Sequence, residues 1–364
     1  MRFIDEFRDN KIAAGLVDKL NALLGKTDKT VTLMEICGTH TMAISRAGIR
    51  RLVPKNLRLV SGPGCPVCVT DQAYIDKAIA CARHKDVIIT TFGDMMRVPG
   101  TRSTLEKEKA SGANVHVVYS PWDTLKICTD NQDKKVVFLA VGFETTAPAT
   151  AATVLDAEKL GLSNFYILCA HKTVPQALDA LCSDPQLKVN GFLCPGHVSV
   201  IIGGNAYAKL AEKYKTPCVV TGFEPLDILQ GILMLTEQSL SGVAKVENQY
   251  ARVVTPEGNT RAQSILYSVF KPSDAVWRGI GTIPGSGLAL KPEYEKFDME
   301  KIMPVELPAA AVNKACRCGD VLKGIINPFD CKLFAKACTP ESPVGPCMVS
   351  TEGTCAAYYK YDRS

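Results

Sequence analysis

The sequence predicts an α/β fold: two similar domains built on parallel sheets, joined to a small, mostly helical and irregular unit. Three observations predict it. Short apolar runs alternate with helical stretches from Val31 to Thr221. Those runs read as strands buried on both faces, the mark of parallel βαβ units. After Ser241 the alternation gives way to Pro- and Gly-rich chain, and six of the forty residues from Cys316 to Cys355 are Cys.

The elements follow in order. Ile4, Phe7, Ile12, Leu16, Leu20, Leu23 and Leu24 recur at helical spacing, which predicts an amphipathic helix from Ile4 to Leu24 closed by Gly25. Four strands are predicted next, at Val31–Ile36, Leu57–Val60, Val87–Thr91 and Val115–Tyr119. A polar break from Asp130 to Lys135 precedes four more, at Val136–Val141, Phe165–Cys169, Gly191–Cys194 and Pro217–Thr221. Helices are predicted at Asp71–His84, Ala147–Leu160, Pro175–Cys182, Val198–Tyr214 and Leu226–Leu240, and a loop at Arg278–Gly287. Two groups of four strands place one domain at 30–130 and a second at 131–225. Residues 1–29 and 226–364 make the third, cysteine-bearing unit. Gly142-Phe143-Glu144 and Gly222-Phe223-Glu224, with the related Thr91-Phe92-Gly93-Asp94, each follow a strand. They fit either an internal duplication or a shared need for glycine at a strand exit.

Composition narrows the function. The chain is 46% hydrophobic and 22% charged, which suits a folded globular protein. Its net charge of +5 is dispersed, so no nucleic-acid surface is predicted. The charged N-terminus has no apolar signal region, and no run is long enough to cross a bilayer, so a cytoplasmic protein without membrane insertion is expected. Fifteen cysteines in a reducing compartment point to metal or redox chemistry rather than to structural disulfides. Cys81, Cys128, Cys169 and Cys182 stand singly and read as small core residues.

Ligands of open α/β sheets bind beyond the carboxyl ends of the strands, and several motifs fall there. Glu35-Ile36-Cys37-Gly38-Thr39-His40 follows the first strand. Cys37 and His40 can share a metal such as iron, or His40 can activate Cys37 as a nucleophile. Ser61-Gly62-Pro63-Gly64-Cys65-Pro66-Val67-Cys68 follows the second strand. Its C-x-x-C reads as a redox pair rather than half of a zinc site, because no second such knuckle exists. Glu144, His197 and Glu224, in the loops after later strands, can furnish acid–base or docking groups; each Glu is equally read as a charge at a helix N-terminus. His84, His116 and His171 are read as solvated or internally satisfied. At the C-terminus, Cys316, Cys318, Cys331, Cys338, Cys347 and Cys355 offer six thiols where an iron–sulfur cluster needs four, and they lack the tight knuckles of a zinc site. No P-loop, dinucleotide fingerprint, radical S-adenosylmethionine triad or serine-nucleophile elbow is present.

Taken together, the motifs resemble those of the hydrogenase maturation family HypD. The matching segments are Cys37–His40, Gly62–Cys68, Gly142–Pro148, Pro195–Ser199 and Cys338–Gly353, and the resemblance spans nearly the whole chain. It implies a scaffold on which, with the small partner HypC, the Fe(CN)2CO unit of [NiFe] hydrogenases is assembled, with HypE donating cyanide made with HypF upstream. It also implies that Cys37 holds the iron, with His40 a second ligand candidate, and that Cys65 and Cys68 form a redox pair. A C-x14-C-x6-C-x16-C pattern assigns a [4Fe-4S] cluster to Cys316, Cys331, Cys338 and Cys355, leaving Cys318 and Cys347 as a second redox pair. Glu144, His197 and Glu224 are then candidates for orienting ligands or partner. An iron–sulfur-dependent thiol–disulfide oxidoreductase and a zinc-stabilised interaction protein are the competing expectations.

Overall fold

Eleven strands run through the part of the chain that the computed structural model describes, residues 5–305, 307 and 313–362. They are β1 (Val31–Glu35), β2 (Leu57–Ser61), β3 (Val87–Thr91), β4 (Val115–Val117), β5 (Lys135–Ala140), β6 (Phe165–Cys169), β7 (Gly191–Pro195), β8 (Cys218–Thr221), β9 (Val246–Asn248), β10 (Phe270–Trp277) and β11 (Gly281–Leu290). The first eight coincide with the eight predicted strands to within a residue or two at each end. The α/β class with parallel sheets is therefore the observed one.

The strands do not divide at the polar break. One parallel sheet has the order β2-β1-β7-β8-β9 and the other β4-β3-β5-β6. The chain leaves the first sheet after β2, builds the second sheet whole, and returns. The expected grouping of the first four strands against the next four is thus corrected. Burial of an apolar run specifies a central strand but not which neighbour it takes, and β7 reaches β1 with Gly191 opposite Leu33. Setting β9 aside, both sheets share one strand order, so the two α/β units are alike. The two Gly-Phe-Glu segments nevertheless follow non-equivalent strands, β5 and β8, and say nothing for duplication.

Helices cover both sheets. Asp9 caps the first helix, accepting the N–H of Lys11 at 2.7 Å, so it spans Asn10–Leu24 rather than starting six residues earlier; Ile4 lies outside the described residues. This helix packs beside the Pro225–Ser241 helix on the first sheet, around Leu20, Leu24, Leu33, Ile228 and Ile232. Both ends of the expected third unit therefore belong in part to the first sheet's core. The predicted Val198–Tyr214 helix is broken at Gly203, whose φ of +82° suits glycine; Gly196–Ile202 and Ala208–Tyr214 are separate helices. The expected loop at 278–287 lies largely in β11, paired antiparallel with β10 through a bulge at Ser273/Ala275. Pro and Gly had masked its alternation. Among the described residues no helix is long and apolar enough to cross a membrane.

Candidate functional site

In each sheet the chain turns to opposite sides after two central neighbours, β1 and β7 in one, β3 and β5 in the other. A crevice opens beyond such a switch point. The loops after β1, β2, β5 and β7 converge there with a C-terminal segment on a cleft of about 460 Å³. Its wall includes Cys37, Thr39, Gly64, Pro66, Phe143, Thr145, Thr146, His197 and Glu352.

Cys37 stands directly beyond β1 and caps the Gly38–Arg46 helix. Burial pushes its thiol up to about 11 and the Glu352 carboxylate adds to this, while N–H groups of His40 and Thr39 oppose. Two glycines make this corner possible. A Cβ on Gly64 would lie 2.5 Å from Cys37 Cα, and one on Gly38 would lie 2.5 Å from Glu352 Cβ. Gly38 N–H also donates to Gly64 O at 3.0 Å, tying the Cys37 loop to the C-x-x-C loop. Thr39 Oγ1 donates to Glu352 Oε1 at 2.6 Å. The site reading had missed Glu352. It lies within the Cys338–Gly353 segment that carries the family resemblance, but only tertiary packing against Gly38 brings it to the cleft.

His40 is fully enclosed. Its Nε2–H donates to Thr221 O at 3.1 Å and Gly222 O at 3.0 Å, which leaves the lone pair on Nδ1, and that atom is buried with no partner. Burial lowers its pKa to about 4, so the ring is neutral and of ligand type. Phe223 lies against it at 4.7 Å and carries His197 stacked on it at 4.0 Å. His197 reaches the cleft wall.

The two glutamates part company. Glu144 is buried behind the wall. One oxygen accepts the N–H of Val174 at 2.9 Å, the other has no partner, and burial raises its pKa to about 7. Glu224 lies outside the cleft, paired with Arg8 at 2.6 Å and capping the Pro225–Ser241 helix reciprocally with Asp227. The helix-terminal reading describes it. His171 is buried and satisfied by Gly142 O and Thr150 Oγ1, while His84 and His116 are exposed. Cys81 and Cys128 are core residues; Cys169 and Cys182 are half-buried.

Cys65 and Cys68 are joined as a disulfide, with Cα atoms 5.2 Å apart, and are only 3% and 0% exposed. The Pro66–Val69 helix that carries Cys68 packs on the Pro346–Val349 helix that carries Cys347, and Cys68 Sγ lies 3.9 Å from Pro346 O. Cys347, Cys316 and Cys355 all lie close enough to Cys318 for their thiols to shift its titration downward. Cys316 and Cys318 sulfurs are 3.3 Å apart. Cys338 Sγ accepts the N–H of Val344 at 3.3 Å and feels the charges of Cys318 and Cys331. All six thiols therefore gather in one neighbourhood, Cys331 at its margin.

Among the described residues no three metal-binding side chains stand in a closed metal-holding arrangement. The donor chemistry nonetheless fits an iron–sulfur cluster. The neighbourhood is rich in sulfur, and Gly345 lets two of its thiols press against the backbone, because a Cβ there would lie 2.6 Å from Cys318 Sγ and 2.7 Å from Cys316 Sγ.

Comparison with known proteins gives the family of the chain. The HypD family model, described as hydrogenase formation hypA family, matches residues 11–362. The hydrogenase maturation factor HypD of Azotobacter vinelandii is 45% identical over 370 residues, covering 100% of this chain and 97% of the relative. Those of Cupriavidus necator and Escherichia coli are each 44% identical, over 372 and 366 residues, covering 100% and 99% of this chain and 98% of either relative. The chain therefore belongs to the HypD family of hydrogenase maturation factors.

Proposed function

We propose that the chain is a scaffold which, with a HypC-type small partner, holds iron while it acquires cyanide and carbon monoxide as the Fe(CN)2CO unit of a [NiFe] hydrogenase. HypE, supplied by HypF, is the proposed cyanide donor. Fifteen cysteines suit work in a reducing cytoplasm.

The observation that carries this reading is the continuity of sulfur from the cleft to the C-terminus. Cys37 shares a hydrogen-bonded loop pair with Cys65, Cys68 backs onto the helix of Cys347, and Cys347 lies close enough to Cys318 for each thiol to shift the other's titration. Iron is the cargo, held by Cys37 with His40 Nδ1 as the second candidate donor. A soft thiolate with an imidazole suits it. Attack of the Cys347 thiolate on the Cys65–Cys68 disulfide forms a mixed disulfide and releases one thiolate. Attack by Cys318 then closes Cys318–Cys347 and releases the other, and the two protons of the attacking thiols pass to Cys65 and Cys68. Two electrons thereby reach the thiols beside the cleft. A [4Fe-4S] cluster on Cys316, Cys331, Cys338 and Cys355 would supply electrons to the Cys318–Cys347 pair. An oxidoreductase for external protein disulfides is disfavoured, because Cys65 and Cys68 are closed to solvent.

The test is anaerobic co-purification with the small partner, read by infrared spectroscopy in the cyanide and carbonyl stretching region. The unaltered chain shows both kinds of band, and Cys37→Ala shows neither while keeping its melting temperature. Bands retained in Cys37→Ala exclude Cys37 as the anchor.

A further inference from the structure

We propose that the cleft sorts the ligands of its cargo by their capacity to accept hydrogen bonds: the imidazole N–H of His197 and the hydroxyl of Thr145 hold the nitrogen ends of the cyanides, and an aliphatic wall of Val200 and Ile201 with Phe143 receives the carbon monoxide. This rests on the scaffold reading and assigns residues within it.

The two ligands differ in one property that a protein can read. Cyanide bound through carbon keeps a lone pair and negative charge on its nitrogen and is a strong acceptor. The oxygen of bound carbon monoxide is a poor one. Placing cyanide against an aliphatic wall strands a desolvated acceptor, whereas carbon monoxide loses nothing there.

The cleft offers few donors. Lys and Arg are absent from its lining residues. The Thr39 hydroxyl is spent on Glu352, and that of Thr146 donates to Phe143 O at 3.3 Å. Glu352 itself is an acceptor and repels an anion. Among the described residues, the Thr145 hydroxyl and the ring nitrogens of His197 are left without a protein partner at this wall. His197 and Thr145 both stand exposed at the mouth of the cleft, and partial desolvation moves the His197 pKa downward against the pull of Glu352, which favours the neutral ring with its single N–H.

Position supports the division. His197 lies in the first turn of the Gly196–Ile202 helix, and Val200 and Ile201 follow three and four residues later on the same face. Donor and aliphatic wall are thus about 5.4 Å apart along one helix. The imidazole is held by its stack on Phe223, and Gly196 permits that stack, since a Cβ there would meet Thr221 O at 2.6 Å and Phe223 Cε2 at 3.1 Å. Phe143 is likewise fixed, stacked on the buried Trp277 at 5.8 Å. Thr145 enters from beyond β5, so the two donors come from different sheets.

The experiment uses the anaerobic complex with the small partner and the same infrared bands. His197→Phe keeps an aromatic ring on Phe223 and removes the N–H, while His197→Gln restores an N–H without the ring. In His197→Phe and Thr145→Val the cyanide bands shift more than the carbonyl band, and recovery of loaded complex falls about tenfold, the weight of one charge-assisted bond. His197→Gln regains both. Val200→Thr, which adds a hydroxyl to the aliphatic wall, moves the carbonyl band instead. Unmoved cyanide bands in His197→Phe, or equal losses in His197→Phe and His197→Gln, overturn the sorting alone. An unaltered chain with no such bands removes the scaffold reading and the sorting with it.

Discussion

Cys37 and Cys338 are both nearly buried thiols, 8% exposed each, yet the two regions that hold them are built differently. Cys37 follows a strand paired on both sides, by β2 and β7, and its neighbours Gly38 and Gly64 are locked by a backbone hydrogen bond. Cys338 sits among turns and helices of four or five residues, Cys318–Leu322 and Pro346–Val349. The cysteine-dense unit shares the main apolar core through Leu322, Met348 and Tyr358, and polar latches add to that: Arg97 to the carbonyl of Pro340, Asp94 to Ser350, and Arg50 to Asp362. The cleft is shaped by the sheets whether or not it holds cargo. The C-terminal unit has little core of its own and leans on the apolar core it shares with the sheets and on its latches.

The sharpest way to break this contrast is to delete one sulfur from each region. With the proposed cluster, Cys338→Ala loses the visible absorbance of anaerobic protein entirely, and limited proteolysis opens the chain between 313 and 362. Cys37→Ala keeps both the absorbance and the protease resistance. Equal protease resistance in the two variants would show that the C-terminal unit stands without its guest.

Arg50→Ala comes next. The guanidinium reaches Glu35 Oε1 at 3.1 Å, Ser45 Oγ at 2.7 Å and Asp362 Oδ2 at 3.3 Å, and lies 4.4 Å from the centre of the Tyr358 ring. Glu35 is wholly buried beside Ser61, and burial already pushes its carboxyl upward against the pull of Arg50. Removing Arg50 strands that carboxylate and unhooks the Thr354–Tyr361 helix that carries Cys355. A loss of about 3–5 kcal/mol is expected in urea unfolding, typical of a broken buried pair. Glu35→Gln, which leaves no charge behind, costs less.

Much of this was legible in the residues. Eight strands showed themselves because buried parallel strands are unbroken apolar runs, and Cys37, Cys65, Cys68 and His197 announced themselves by lying at strand ends beside glycine or proline. Neighbour order was not legible, because the run Gly191–Cys194 reads alike whether it pairs with β1 or β6. Glu352 stood inside a recognised segment, but its place at the cleft was hidden for the same reason, being set by packing on Gly38. Glu224 carried two readings, because a carboxylate at a strand exit and one capping a helix occupy the same sequence position, and it caps the helix. The strands β10 and β11 were hidden because Gly and Pro interrupt their period of two.

Acid tests the contrast more gently. All five histidines precede residue 313, so the cysteine unit has none. Burial between Gly142 O and Thr150 Oγ1 holds the His171 pKa at about 4, against an ordinary 6.5. Between those values the unfolded chain binds a proton that the folded chain does not. The contribution is therefore whole above pH 6.5 and is lost as pH falls through 4, amounting to about 3 kcal/mol. His171→Gln, with no proton to take up, should flatten the acid limb of the stability curve by about that amount. An unchanged limb would mean that other groups drive acid unfolding.

The smallest expected effect falls on the seam between the regions. Asp94, just past β3, accepts the Ser350 hydroxyl at 2.8 Å and the Thr351 N–H at 3.3 Å. It thus places the turn that delivers Glu352 to Thr39. Asp94→Ala removes two bonds to a charged acceptor; Ser350 is buried, but its hydroxyl keeps the Glu352 N–H at 3.2 Å, and Thr351 is exposed, so about 1–2 kcal/mol is at stake. If the seam opens as its own unit, the cost appears locally. Amide exchange at Thr351 and Glu352 quickens roughly tenfold, while the amides of β1 keep their protection. A uniform rise across β1 as well would mean that sheet and cysteine unit unfold together. The latch would then belong to one cooperative structure, and the difference between the two regions would lie only in how they fold, not in how they open.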